Sequence, residues 1–381
     1  MSVTKRRLFP RRGYILLIVG ILIGFLAFSS ISLAFFQFGR PAIVGEMPEK
    51  IEFEFLYTSE KQGWIEGVTP KFERWFLERF GVEVSVKLTV TGTHKTVNLI
   101  LLGSEKPTVW SPASSIWIPY LNSMWRAQGN VEDIARDWTP LVLSPIVIAG
   151  WKSFLEKYNV TGFSDLYGYA AGGVDFKYGH PDPQLSNGGV MVAILEFAEA
   201  AGKKPEDLSI DDLKQESVLN FVRMIESKAV MYGESTGFFG SWAAENGPAA
   251  ISLFGVYENV VIESSLKAKT KWGDPIVAVY PKEGTLLSDH PFVILNAEWI
   301  GKWERFAAGQ YLLYLLKDDV QELAQEHGFR PANPSVPLDP KLFSIENGVQ
   351  YELVVPVLKP LQAEAMKALL TTWVAVRNPG I

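Results

Sequence analysis

From residue 51 to residue 57 apolar and polar positions alternate, IEFEFLY, which predicts a half-buried strand that ends at Thr58-Ser59-Glu60-Lys61-Gln62-Gly63. Phe72, Trp75, Phe76 and Phe80 then recur at helical spacing and Gly81 stops the run, so an amphipathic helix follows with its aromatic stripe in a core. Residues 82–90 read as a second strand leading into Thr91-Gly92-Thr93. Residues 108–110 read as a third, leading into Ser111-Pro112-Ala113-Ser114-Ser115. Strand, polar loop and helix in repetition mark a parallel sheet covered by helices, in which ligands bind outside the carboxyl ends of the strands. Three successive exits carry hydroxyls and glycine, which donate hydrogen bonds without adding charge. Residues 141–149, LVLSPIVIA, form a continuous apolar run and predict a strand buried on both faces.

Residues 179–202, GHPDPQLSNGGVMVAILEFAEAAG, read as a proline-punctuated loop, a cap of Ser186 and Asn187, and an apolar helix closed by Gly202. Gly188 and Gly189 at the first turn would leave its N–H groups uncovered, and a bare helix N-terminus suits an oxyanion. Ser209 with Asp212 predicts a capping box starting a helix that runs to about residue 230. Residues 249–263 predict a short strand entering a helix, with Tyr257, Glu258 and Asn259 near the junction. Residues 276–280 and 292–295 read as strands, and residues 303–327 as one long amphipathic helix stopped by Gly328. Prolines at 331, 334, 337 and 340 favour an extended polyproline path. Residues 361–376 predict a last amphipathic helix that packs back on the body.

One stretch departs from this pattern. Residues 13–39 hold no charge, enough at 1.5 Å per residue to cross a hydrocarbon layer of about 30 Å. Five basic residues precede it, which places the rest of the chain outside the cell. Its length favours an uncleaved anchor over a cleaved signal, although Ser32-Leu33-Ala34 is an acceptable cleavage site. Of the 36 basic and 42 acidic residues, six basic and no acidic ones fall in the first forty. The remainder therefore holds 30 and 42, a net charge of −12, and lacks the basic runs that nucleic acid demands. A chain of 381 residues is long for one core and predicts two lobes. It has no cysteine, hence no disulfide and no thiolate site. His94, His180, His290 and His327 fall at no ligand spacing, which argues against a zinc enzyme; no cofactor is expected.

Taken in order, several phrases resemble a type II extracellular solute-binding protein, the receptor of ABC importers. They are TSEKQGW, PTVWSPASSIWIPYLN, LSPIVIAGW, PDPQLSNGGVMVAILEFA, VYENVVIES, and AVYPKEGTLLSDHPFVIL with the later GFRPAN. The likeness covers about residues 50–335 and is greatest to the branch related to molybdate-type receptors, often found with von Willebrand factor A-type domains, of which none is present here. The resemblance implies two α/β lobes joined by crossover strands, preceded here by one transmembrane helix. The segments would be a basic tail and anchor over 1–40, lobe one over 50–142 and 282–381 with the C-terminal helix, and lobe two over 143–281. A small ligand, an oxyanion among the candidates, would be held by hinge closure and passed to a membrane permease by a monomeric soluble part.

Carried over by position, the resemblance implies ligand contacts from Ser59 with Glu60 and Lys61, Thr93, Ser111 and Ser114 on lobe one. Ser186, Asn187 and Gly188 take the second-lobe helix terminus, and Glu258 or its neighbour Tyr257 faces the cleft. A carboxylate there would repel a dianion, so Glu258 turns away, pairs with Lys61, or binds a cationic or hydroxyl-bearing part of another solute. Two rival readings differ in class. One is a membrane-anchored adhesion or sensing protein on the same fold. The other is a serine hydrolase, from Gly233-Glu234-Ser235-Thr236-Gly237 with Asp289-His290 downstream. A nucleophile elbow needs a strand before its serine and a helix after it, and the local pattern predicts a helix before it instead.

Overall fold

The computed structural model describes residues 47–377. The uncharged stretch at 13–39 lies outside them, and no helix of the described residues is long and apolar enough to cross a membrane. The chain opens with β1 (Lys50–Tyr57), α1 (Gln62–Phe80), β2 (Glu83–Val90), α2 (Thr93–Leu101), β3 (Val109–Ser111) and α3 (Trp117–Ala127). It continues with β4 (Thr139–Pro140), β5 (Val142–Trp151), α4 (Lys152–Lys157), α5 (Phe163–Ala171), β6 (Tyr178–Pro181), α6 (Asn187–Ala201), α7 (Glu216–Glu226), β7 (Ala229–Gly233) and α8 (Thr236–Asn246). Then come β8 (Leu253–Tyr257), α9 (Glu258–Trp272), β9 (Ile276–Val279), β10 (Leu287–Ser288) and β11 (Pro291–Ile294). The last elements are α10 (Lys302–Leu315), α11 (Asp318–Glu326), β12 (Arg330–Pro331) and α12 (Ala363–Arg377).

The fold is two-lobed α/β. The first sheet has the order β2-β1-β3-β11-β4, with β1 parallel to β2 and β3 and with β11 antiparallel. Because the first three strands are parallel neighbours, their hydroxyl-bearing exits lie along one edge. The aromatic stripe of α1 packs as its spacing predicts: Phe72 and Phe76 are fully buried, and Phe72 lies 4.5 Å from the Tyr311 ring centroid. In the second sheet every partner of β5 is antiparallel to it. Its first half pairs with β12 and β10 and its second half with β8 and β9. A strand with neighbours on both edges and helices packed against it is buried along its length, as all of β5 but the half-buried Leu143 is, and its one hydroxyl, on Ser144, is paired with Asn259. Strands β6 and β7 pair in parallel beside this sheet. The C-terminal helix α12 rests on α6 and α7 and also touches α3.

Four local expectations give way to the structure. The helix over 303–327 is two helices, broken at Leu316 and Lys317, where Lys317 turns extended and Asp318-Asp319 open the next first turn. The buried Gln321 amide holds that break by donating to Leu315 O and Leu141 O, both at 2.9 Å. The Ser209–Asp212 box forms, with Asp212 Oδ2 accepting from Ser209 N at 2.9 Å, but it closes a short turn, and α7 starts separately at Glu216. Residues 229–233 are the strand β7, not the end of a helix. The proline-spaced segment folds into turns fastened by Gln325, whose side chain donates to Pro337 O and accepts from Asp339 N.

Candidate functional site

The exits of β1, β2 and β3 meet the second lobe along a seam. Lys61, at the β1 exit, is fully buried, an expensive place for an ammonium. Its Nζ donates to Thr58 Oγ1 (2.8 Å) and Ser111 O (3.0 Å) and lies 3.5 Å from His290 Nδ1. All three partners are neutral, because burial and then Lys61 itself hold His290 well below its usual range. Burial pushes Lys61 down to about 7, with Glu60 and then Asp289 pulling the other way. Asp289 is raised by burial, and its Oδ1 accepts from Ser115 N at 2.7 Å.

His290 has a φ of 41°, a left-handed conformation unusual for a residue with a side chain. It is held from both sides, its N–H donating to Ala113 O (3.1 Å) and its carbonyl accepting from Leu141 N (3.3 Å). Ser288 Oγ also bonds Ala113 O. The 288–291 loop is thereby clamped to the β3 exit, and it aims the imidazole at Lys61. Around this ammonium three buried polar atoms lack a protein partner: Ser111 Oγ, His290 Nε2 and Glu60 Oε2. Buried polar atoms are rarely left unpaired, which marks this seam as the candidate site.

From His290 the contacts run on into the second lobe. The Tyr257 ring lies 6.2 Å from that of His290, and the Tyr257 hydroxyl accepts from Asn187 Nδ2 at 2.6 Å. Asn187 Oδ1 in turn accepts from Trp117 Nε1 at 2.7 Å, a direct tie from one lobe to the other. A second tie joins His94 Nδ1 and Gln184 O at 2.7 Å.

The sequence-predicted residues divide accordingly. Lys61, Ser111, Asn187 and Tyr257 share the seam, with Ser59 and Glu60 at its half-buried rim. Thr93 and Ser114 are buried beside it but are engaged locally: Thr93 Oγ1 accepts from Ala113 N (3.2 Å) and Ser114 Oγ from Ile116 N (3.4 Å). Ser186 takes the extended backbone of a cap, yet its hydroxyl caps nothing and meets Thr236 Oγ1 at 3.1 Å. The glycines of α6 are a matter of packing. A Cβ on Gly188 would fall 2.3 Å from Thr236 Oγ1, and one on Gly189 2.0 Å from Pro181 O. The uncovered first turn expected from those glycines is therefore roofed by β6 and α8.

Glu258 turns away from the seam. Both its oxygens accept from Arg330, Nε to Oε2 and Nη2 to Oε1 at 2.7 Å each, and Tyr280 adds a third bond. Its partner is Arg330 and not Lys61, which answers the repulsion expected of it with a matched charge. Sequence reasoning missed His290 and Trp117 as site residues and Arg330 as the partner of Glu258. The prolines around SDHP marked only a loop, and no local pattern encodes a positive φ. The serine motif does sit between a strand, β7, and a helix, α8, contrary to expectation. Even so, Ser235 Oγ is spent capping α8, accepting from Phe238 N at 3.3 Å, and His290 lies against Lys61.

Two α/β lobes meeting over a buried, polar, incompletely satisfied seam define the class of two-lobed, periplasmic-type binding proteins. The chain belongs to the bacterial extracellular solute-binding protein family, whose model matches residues 70–330. Its members bind solutes outside the cytoplasm. No curated protein matches the sequence. Among solved structures, the periplasmic binding protein AfuA from Actinobacillus pleuropneumoniae, with fructose-6-phosphate bound, is similar at 15% identity and a TM-score of 0.59, covering 87% of this chain and 99% of its own. The sulfate-binding protein SubI from Mycobacterium tuberculosis is 15% identical with a TM-score of 0.55 over 87% and 99%. A solute-binding protein from Thermotoga lettingae with α-D-tagatose bound is 14% identical with a TM-score of 0.59 over 87% and 94%. At such identities the likeness is one of fold.

Proposed function

We propose that the chain is the receptor of an ABC importer and takes a small polar solute whose acidic group seats on Lys61 while its hydroxyl or amino donors reach Glu60. The observation that carries this reading is a fully buried ammonium with three neutral partners, beside the unpaired Ser111 Oγ, His290 Nε2 and Glu60 Oε2. An anion on Lys61 offsets the desolvation of its charge, and the unpaired atoms receive partners at the same time. Glu60 limits the match to a bare dianion and favours an acid that also carries donors, such as a sugar phosphate or a hydroxy or amino acid. Simple oxyanions, molybdate included, stay in the panel, because the quoted phrases resemble that branch and Glu258 does not face the seam. The ties Trp117–Asn187 and His94–Gln184 are the contacts that hinge closure would make and break. The uncharged stretch at 13–39 supports a membrane tether that would keep the body beside a permease.

A thermal-shift screen of the full-length protein tests the reading with sulfate, molybdate, phosphate, fructose 6-phosphate, citrate, glutamate and neutral tagatose. A solute at a hundred times its dissociation constant adds about 2.7 kcal/mol of stability, a visible rise in Tm. Acidic solutes should raise Tm in the wild type and not in Lys61→Met. A shift from tagatose alone, or an equal shift in the variant, contradicts the reading.

A further inference from the structure

A second polar cluster lies within the second lobe, under the C-terminal helix. His180 on β6, Glu196 on α6 and Glu226 at the end of α7 are all buried, and one donor atom of each lies within 4.8 Å of the others. His180 Nε2 and Glu226 Oε1 are 2.9 Å apart. Every remaining donor atom but one is held from outside the trio. His180 Nδ1–H donates to Pro181 O at 2.7 Å, which turns Nε2 toward the carboxylates. Tyr178 donates to Glu196 Oε1 (2.9 Å), Tyr232 to Glu226 Oε2 (2.6 Å), and Trp373 of α12 to Glu226 Oε1 (2.8 Å). The exception is Glu196 Oε2, fully buried with no partner at all.

Burial, then Glu226 beside it, drives Glu196 well above the usual carboxylate range, so out of water the two carboxylates keep a proton with them beside the His180–Glu226 ion pair, and Glu196 Oε2 is left unpaired. A divalent cation between them cancels both charges, satisfies Glu196 Oε2 and takes the lone pair of a neutral His180. One nitrogen and two carboxylate oxygens fit a borderline ion such as Zn2+, bound at about 2.0–2.2 Å. Outer hydrogen bonds, accepted by Pro181 O and donated by Tyr178, Tyr232 and Trp373, are of the kind that orient metal ligands.

We propose that His180, Glu196 and Glu226 form a structural site for one divalent transition ion, Zn2+ by its donor set, which fastens α12 to the second lobe through Trp373 and Glu226. Elemental analysis of the full-length protein, purified in detergent without chelator, should find about one equivalent of such an ion. Stripping with EDTA should lower Tm by several degrees, and ZnCl2 should restore it. Glu196→Gln, which keeps an acceptor for Tyr178, and His180→Gln should each lose the ion and the response to EDTA. The proposal is overturned if the wild type carries no stoichiometric metal and its Tm ignores EDTA, ZnCl2 and MnCl2. A proton shared by the two carboxylates then fills the cluster, and Glu196→Gln should leave Tm unchanged or raise it. The wild-type readings stand even if a variant fails to fold.

Discussion

Lys61 sits where a charge is least comfortable. Its ammonium is fully buried, held down to about 7 by that burial against the pull of Glu60 and Asp289, and hydrogen-bonded only to neutral groups. Between about 7 and 10.5 the unfolded chain holds a proton on Lys61 that the ligand-free fold does not. Stability of the ligand-free protein therefore gains from Lys61 as pH rises across that window, and the full penalty applies below it. Lys61→Met should accordingly raise the Tm of the ligand-free protein at pH 6, measured by calorimetry, while abolishing its response to acidic solutes. A fall in Tm would mean that the ammonium is already compensated within the protein. Glu258 and Arg330 show the opposite case, a buried charge fully matched by its partner. Removing one side, as in Glu258→Gln or Arg330→Met, should cost about 3–5 kcal/mol in denaturant unfolding. A loss below about 1 kcal/mol would contradict the pairing. The carboxylate of Glu258 was legible as a residue near the cleft, but its partner lies 72 residues on, at a distance where no local pattern speaks.

Among the elements, β1, β2, β5, β8 and α1 could be read from the chain because their periods match a sheet or helix with one environment along its length. The first turn of α6 shows where such reading stops. Its two glycines fit a phosphate-like cradle by sequence, and only the approach of Pro181 O and Thr236 Oγ1 reveals them as packing residues. Gly189→Ala should therefore destabilise by about 1–3 kcal/mol in equilibrium unfolding, as overpacking does, and more than Gly237→Ala, whose added Cβ meets nothing within 4 Å. Equal effects would refute the packing role. The break at Leu316 and Lys317 and the strand β7 were missed for a shared reason. Both continue an apolar pattern across a change of direction that a distant partner imposes: Leu141 O for the first and β6 for the second. His180 likewise meets Glu196 and Glu226 from three different elements, a meeting that no spacing along the chain encodes.

At the scale of the molecule, two lobes meet over Lys61, His290, Tyr257 and Asn187, and Trp117 carries the contact across. The α/β class could be anticipated from the order of strands, loops and helices, and the two lobes from the chain's length and the resemblance. The seam could be anticipated only in part, because hydroxyls at strand exits can serve a ligand or a neighbouring loop equally well, as Thr93 and Ser114 show. Trp117→Phe removes one lobe-to-lobe hydrogen bond and should shift the ligand-free protein toward an open form. Small-angle scattering should then show a larger radius of gyration that ligand reverses, and an unchanged radius would argue that the tie is incidental. The central claim is that Lys61 meets an acidic group. The most direct test is calorimetric titration of wild type and Lys61→Met, at pH 6 and pH 8.5, with whichever solute gives the largest thermal shift. The account predicts tight binding by the wild type at pH 6 and affinity weakened by about tenfold or more at pH 8.5, with proton uptake on binding. It also predicts no measurable heat from the variant. Equal affinity at both pH values, or binding retained by Lys61→Met, would contradict it.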